Sequence, residues 1–189
     1  MIKLHVTKKL LAKLQIDDQG YLLGHLKANP RKEDYDGTES LLSGWHANLV
    51  TVQRKNCVFL IHDETRFPVF IPGLLKADLK DLDYFFDDCF MNTLLKCGAT
   101  NEQLETASSH ILLLQIDAQT DRSVQATMNH MIQEIEYMIW YEQVNVVDIT
   151  GYRVGAKLAD RPCSVGKQKE FKWPKRDMLA LLDRLGKHP

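Results

Sequence analysis

The chain has 189 residues, 44% of them hydrophobic and 26% charged, with a net charge of −1. That length supports one well-cored domain without staples, and near-neutrality excludes a chain built as a polycation or polyanion. Cys57, Cys89, Cys97 and Cys163 form no C-x-x-C pair, which argues against structural zinc and a disulfide framework and for a reducing compartment.

In chain order, the start MIKLHVTKKLLAKL is broken by Lys8, Lys9 and Lys13, and no small-residue cleavage site follows, so no signal peptide is expected. No run of about 18 apolar residues is present to span a membrane. Residues 2–6 alternate as a short strand, and Thr7 is placed to cap a short helix with Leu10, Leu11 and Leu14 on its stripe. Residues 17–40, rich in Asp, Gly, Asn and Pro, form the longest candidate loop. Residues 45–54 and 57–62 carry the β-branched and aromatic content of strands, with Lys55-Asn56 as their two-residue turn. A third strand over 67–71 ends at Pro72-Gly73.

Residues 78–97 predict a helix, with Leu79, Leu82, Phe86, Cys89, Phe90, Leu94 and Cys97 at steps of three and four and Gly98 beyond its end. A short helix near 101–107 and a buried strand over 110–117 (HILLLQID) follow. The next helix reaches about Glu142 with Val124, Met128, Met131, Ile132, Ile135, Met138 and Ile139 on one stripe. Residues 144–152 read as a strand or an extended linker. A last helix starts at Pro174 and closes at Gly186, with Met178, Leu181, Leu182 and Leu185 facing inward. Sequential strands on short turns, covered by two long helices, give an α+β fold with a mainly antiparallel sheet. The expected division is a core domain over 1–150 and a basic C-terminal extension over 151–189 that packs on it.

Polar groups gather at one end of the hairpin. With the turn at Lys55-Asn56, Asn48 stands opposite Asp63, His62 opposite Leu49, and His46 two residues beyond Asn48 on the same face. An imidazole oriented by a carboxylate can act as a general base, so His46 and Asp63 with Arg66 are the candidate catalytic set. Arg54, Arg66 or Arg122 could receive an anionic group. The alternative is that Asn48 and Asp63 satisfy strand-end backbone groups and His46 is a spacer. His5, His110 and His130 have no partner at helix or strand spacing, and neither a metal site nor a cofactor is expected. No phosphate-cradling glycine motif is present. Ser123 is a nucleophile candidate, although Ser, Asp and Thr in TDRS also suit a helix cap. Arg122 at a helix N-terminus opposes the helix dipole and could mark an anion site.

Charge is uneven. Residues 151–189 hold ten Lys/Arg against four Asp/Glu, which leaves 14 against 21 in residues 1–150. Within 167–176, Lys167, Lys169, Lys172, Lys175 and Arg176 flank Phe171 and Trp173. Cations beside aromatic rings suit single-stranded nucleic acid or an acidic protein surface. They suit equally a basic tail docked on its own acidic body, or the interface of a homodimer.

The segments GWHANLVTVQRKNCVFLIHDETRFPVFIPG, MIKLHVTKKLLAKL and TDRSVQATMN together resemble a bacterial family of unknown function, most specifically in WHANL and RSV-x-x-x-MN. The similarity runs from Met1 to about Glu142. It implies a bacterial cytoplasmic protein of one domain and brings no activity, cofactor or catalytic residue. The expected function is a non-enzymatic binding or regulatory module for nucleic acid or a protein partner. The alternative is a small metal-independent hydrolase or nuclease using His46 and Asp63.

Overall fold

The computed structural model of the chain describes residues 1–24, 38–165 and 171–187. Five strands make one sheet in the order β4-β3-β2-β1-β5, where β1 is Ile2–Val6, β2 Trp45–Val52, β3 Lys55–His62, β4 Pro68–Leu74 and β5 Leu114–Asp117. The short connections of β2, β3 and β4 make them an antiparallel meander. β1 lies between β2 and β5 and runs parallel to both. The fold is α+β, and the sheet is mixed rather than antiparallel throughout. The departure arises because long stretches separate β1 from both neighbours, enough for parallel crossovers that short turns forbid.

The β2–β3 turn falls at Gln53-Arg54, with φ of 47° and 65°, not at Lys55-Asn56. Two positive φ values are what a tight two-residue hairpin requires, and these residues supply them without glycine. Asn48 therefore faces Phe59 rather than Asp63, and His62 faces Trp45 rather than Leu49. The slip relative to the expected register is four residues. Because four is even, every side chain keeps its face.

Strand residues alternate between two faces. The first carries Ile2, Leu4, Trp45, Ala47, Leu60 and Val69, all fully buried. It is covered by α2 (Leu82–Lys96), flanked by α3 (Asn101–His110) and α6 (Pro174–Leu185). A single 3₁₀ turn, Asp78–Asp81, leads into α2, and Gly98 at φ 84° closes it. Trp45 meets Phe86 and Phe90 edge-on at 5.0 and 5.3 Å. The inward residues of α6 are Met178, Leu181, Leu182 and Leu185, which join this same core. A capping box at Thr100 and Gln103 starts α3, which runs on to His110, so only the second half of HILLLQID pairs as a strand.

On the second face, Val50, Val52, Cys57, Phe59, Ile61 and Phe70 lie under α4 (Arg122–Glu142). The whole predicted stripe of α4 turns inward here, with Met138 only partly buried. Residues 144–152 are neither strand nor plain linker, because α5 (Gly151–Ala159) begins within them. A side chain on Gly151 would strike the Phe70 carbonyl, so α5 sits against β4 at a distance only glycine allows. β6 (Cys163–Ser164) and β7 (Phe171–Lys172) form a two-stranded ribbon before α6. α4 lies over β2 and β3 and leaves this face of β1 and β5 to the polar side chains Lys3, His5, Gln115 and Asp117. No helix among the described residues is long and apolar enough to cross a membrane.

Candidate functional site

Where α4 stops covering the sheet, polar groups from five segments meet. Gly44, at φ 87°, turns the chain into β2, and its carbonyl accepts the Asp63 N–H at 2.8 Å. That bond holds Asp63 beside His46, whose Nδ1 lies 2.6 Å from Asp63 Oδ1. The opposite ring nitrogen, Nε2, accepts the Asp121 N–H at 2.9 Å. An amide N–H only donates, so Nε2 must present its lone pair and Nδ1 must carry the proton given to Asp63. Both nitrogens of this buried ring are therefore engaged. His46 ties the sheet to the first turn of α4 and has no lone pair left for a substrate. The hairpin face does bring His46 and Asp63 together; the geometry it gives them is that of a strut.

His5 and His130 do have partners, contrary to expectation: His130 Nδ1 lies 3.3 Å from Glu134 Oε1, four residues along α4, and His5 sits within the cluster. Parallel pairing sets it beside His46 on one side and Asp117 on the other. Its Nδ1 is 2.6 Å from Asp117 Oδ1, its Nε2 is 3.9 Å from Asp63 Oδ2, and its ring centroid is 4.9 Å from that of His46. The sequence offers no signal for this, since 112 residues separate His5 from Asp117. Asn48 is also structural: its Oδ1 accepts the Thr7 hydroxyl at 2.9 Å, and Thr7 makes no side-chain cap on α1 (Lys8–Leu11). Among the described residues, no group of three or more His, Cys, Asp or Glu could hold a metal ion.

Arg66 closes the four-residue turn between β3 and β4 at φ 61° and is buried. Its Nη1 donates to the Asp63 carbonyl and its Nη2 to Ser123 Oγ at a long 3.4 Å. Its Nε is, among the described residues, the one buried side-chain nitrogen or oxygen without a hydrogen-bond partner. Burial pulls the guanidinium below its ordinary range, with Asp63 and Asp121 opposing that shift from a distance. Asp121 caps α4 by accepting from the N–H groups of Ser123 and Val124 at 2.7 and 3.0 Å, and these bonds lower its pKa. Arg54 stands at the far hairpin end, about 25 Å along the strand from His46, and cannot serve this cluster.

Outside the cluster, α4 borders a groove. Toward its N-terminal end lies a cavity of about 640 Å³ bounded by Arg122, Ser123, Thr127, Cys163, Ser164 and Phe171. Toward the other end a cleft of about 420 Å³ runs between α4 and α5, beside Tyr137, Met138, Tyr141, Val154 and Leu158. Ion pairs Glu134–Arg161 and Glu142–Lys157, at 2.6 and 3.1 Å, bridge it. On the outward side of α4, Tyr137, Trp140 and Tyr141 are 63%, 73% and 71% exposed, with rings 6.0 and 6.1 Å apart. Sequence reasoning followed the Met/Ile stripe and missed this second one. Aromatics at i, i+3 and i+4 off the core stripe were the available signal.

Two cations of the basic tail are paired. Lys175 pairs with Asp160 at 3.3 Å, Arg176 with Asp177 at 3.0 Å, and the Arg176 guanidinium lies 5.9 Å from the Trp173 ring centre. Lys172 is partly exposed on β7. Lys167 and Lys169 lie outside the described residues. All four cysteines are free. Burial pushes the Cys89 and Cys97 thiols up to about 12 and about 11, which makes them unreactive core residues.

The family model for a domain of unknown function, DUF6933, matches residues 3–177, and the chain belongs to that family. No curated protein matches, and no solved structure matches.

Proposed function

We propose that this family member is a non-enzymatic module that binds a protein partner through the outer aromatic face of α4 and the cleft beside it. The observation that carries this reading is the cluster of Tyr137, Trp140 and Tyr141, three large rings left in solvent on a helix whose other side is fully committed to the core. Tyr and Trp dominate the energetic centres of protein interfaces, and a contiguous exposed aromatic patch on a monomer marks such a surface. Charge defines the partner. The cations along the cleft are already matched by Glu134 and Glu142, so the surface offers no field to a polyanion. It suits an amphipathic protein segment with apolar anchors and little net charge.

Two other readings have less support. Nucleic acid would need several free cations beside open rings; Phe171 is open, but Lys175 and Arg176 are paired and Arg176 approaches the Trp173 ring. A hydrolase based on His46 and Asp63 would need a free imidazole lone pair, which the Asp121 amide occupies.

The test places a photo-crosslinking amino acid at position 140, with position 54 at the far hairpin end as control, in lysate of the native host. The proposal expects a discrete protein adduct specific to position 140. That adduct should survive nuclease treatment and disappear when Tyr137 and Tyr141 are changed to Ser. An adduct lost on nuclease treatment, an adduct of twice the chain's own mass, or equal labelling at position 54 would each overturn it.

A further inference from the structure

We propose that the cavity at the N-terminal end of α4 binds a small amphipathic anion, with a carboxylate or phosphate head on an apolar body. The inference stands apart from the aromatic docking face, which lies about 25 Å further along the same helix at 1.5 Å per residue.

The head-group site is defined by Arg66. This side chain is 94% buried by its 6% exposure, and no carboxylate lies within ion-pairing distance of it among the described residues. Its partners are one backbone carbonyl and one hydroxyl at 3.4 Å, and its Nε has none. A buried cation without a counter-ion is costly, and a bound anion would relieve that cost. Arg66 stands directly behind the cavity wall. Its Nη2 reaches Ser123, which lines the wall, and its charge is felt by the thiol of Cys163, another lining residue. Because Ser123 Oγ accepts from Arg66, its own O–H is free to donate into the cavity. Arg122 adds a second cation at the mouth. Thr127 and Ser164 contribute further hydroxyls nearby.

The apolar body is defined by Ala126, Met131, Leu158 and Phe171, while the wall's one carboxylate, Glu134, is neutralised by Arg161 at 2.6 Å. A volume of about 640 Å³ lined by apolar side chains and a few polar groups is the pattern of a small-molecule site. Phosphate and carboxylate both fit a guanidinium paired with a hydroxyl donor, so the shared chemistry is an oxyanion.

Calorimetric titration of the full chain at neutral pH with sodium octanoate, octyl phosphate and octan-1-ol tests this, because the three probes share one body and differ in the head. Expected is a single site for at least one of the anions, bound tenfold or more tighter than the alcohol. The tighter anion assigns the head group. Ala126→Trp, at an exposed position on the cavity wall, should abolish binding without changing the melting temperature of the free protein. Ser123→Ala should weaken anion binding several-fold and leave the alcohol unaffected. Trp140→Ser should bind as the unchanged protein does, which separates this result from the fate of the docking face. Arg66→Met should remove the preference for anions. Should that variant fail to fold, the alcohol comparison and Ala126→Trp decide alone. Equal binding of alcohol and anions, undiminished binding by Ala126→Trp, or no binding of either anion at millimolar concentration would overturn the proposal.

Discussion

The two faces of the sheet are covered in different ways. The first is sealed: α2, α3 and α6 cover Ile2, Leu4, Trp45, Ala47, Leu60 and Val69, Trp45 meets Phe86 and Phe90 edge to face, Phe67 meets Phe90 the same way, and Phe86 stacks on Phe90. The second is shared. α4 and, at β4, α5 cover the β2–β4 half, while the β1–β5 half stays polar, and the histidine cluster, Arg66 and the groove all lie on or beside the boundary. The contrast teaches that in this fold chemistry collects where the helical cover ends. There the sheet still fixes side chains in register, yet water or a ligand can reach them.

The largest effect that would sharpen this contrast is truncation on the sealed face. Phe90→Ala should cost about 3–5 kcal/mol in urea unfolding, as expected for a large buried ring; a loss below 1 kcal/mol would mean that this face is not closed. Next is His62, which sits against Trp45 on the sealed side and accepts the Thr65 N–H. Burial pushes its pKa down to about 4. The unfolded chain takes up this proton near the ordinary value of 6.5, the folded chain only near 4, so stability is complete above 6.5 and falls as the pH drops to 4. The shift corresponds to about 3 kcal/mol. His62→Gln should flatten the stability profile in that window, and an unchanged slope would contradict the assignment.

At the boundary the expected cost is smaller. His46→Leu strands the Asp121 N–H and one Asp63 oxygen, for about 1–3 kcal/mol. Hydrogen exchange should quicken at the first turn of α4 and not at its centre; uniform quickening would argue against a local strut. Smallest is the outward side of α4, where Trp140→Ser should change stability by no more than about 0.5 kcal/mol. A loss above 1 kcal/mol would show that the ring is structural and would remove the main support for a docking face.

Both faces were legible in the helices. The stripes of α2 and α4 repeat every three or four residues, and local periodicity is enough to say which side packs. The hairpin was half legible. Asn56 is the residue that ordinarily marks a tight turn, yet the chain turns at Gln53-Arg54, whose types do not advertise positive φ. Alternating burial survives an even slip, so the shared face of His46 and Asp63 could be read, and the residue opposite each could not. The link from His5 to Asp117 was not legible at all, because parallel strands are joined by pairing at long range and leave no local signature. The saturation of His46 was hidden for the same reason, since its second partner is a backbone amide 75 residues away.

The placement of β1 has a consequence for the order of assembly. It precedes the other four strands of the sheet in the chain, yet it occupies an interior position with β2 on one edge and β5 on the other. Its pairing with β5 has to wait until residue 117 has emerged, whereas the β2–β4 meander can close on itself from contacts a few residues apart. The expectation is that the meander and its helices form a platform with an open edge, and that the N-terminal segment is captured into that edge late. The opening residues of the chain then act as the closing piece of the sheet. Deleting residues 1–6 would leave the edge of β2 exposed to pairing with other chains, and self-association would be the first sign of their loss.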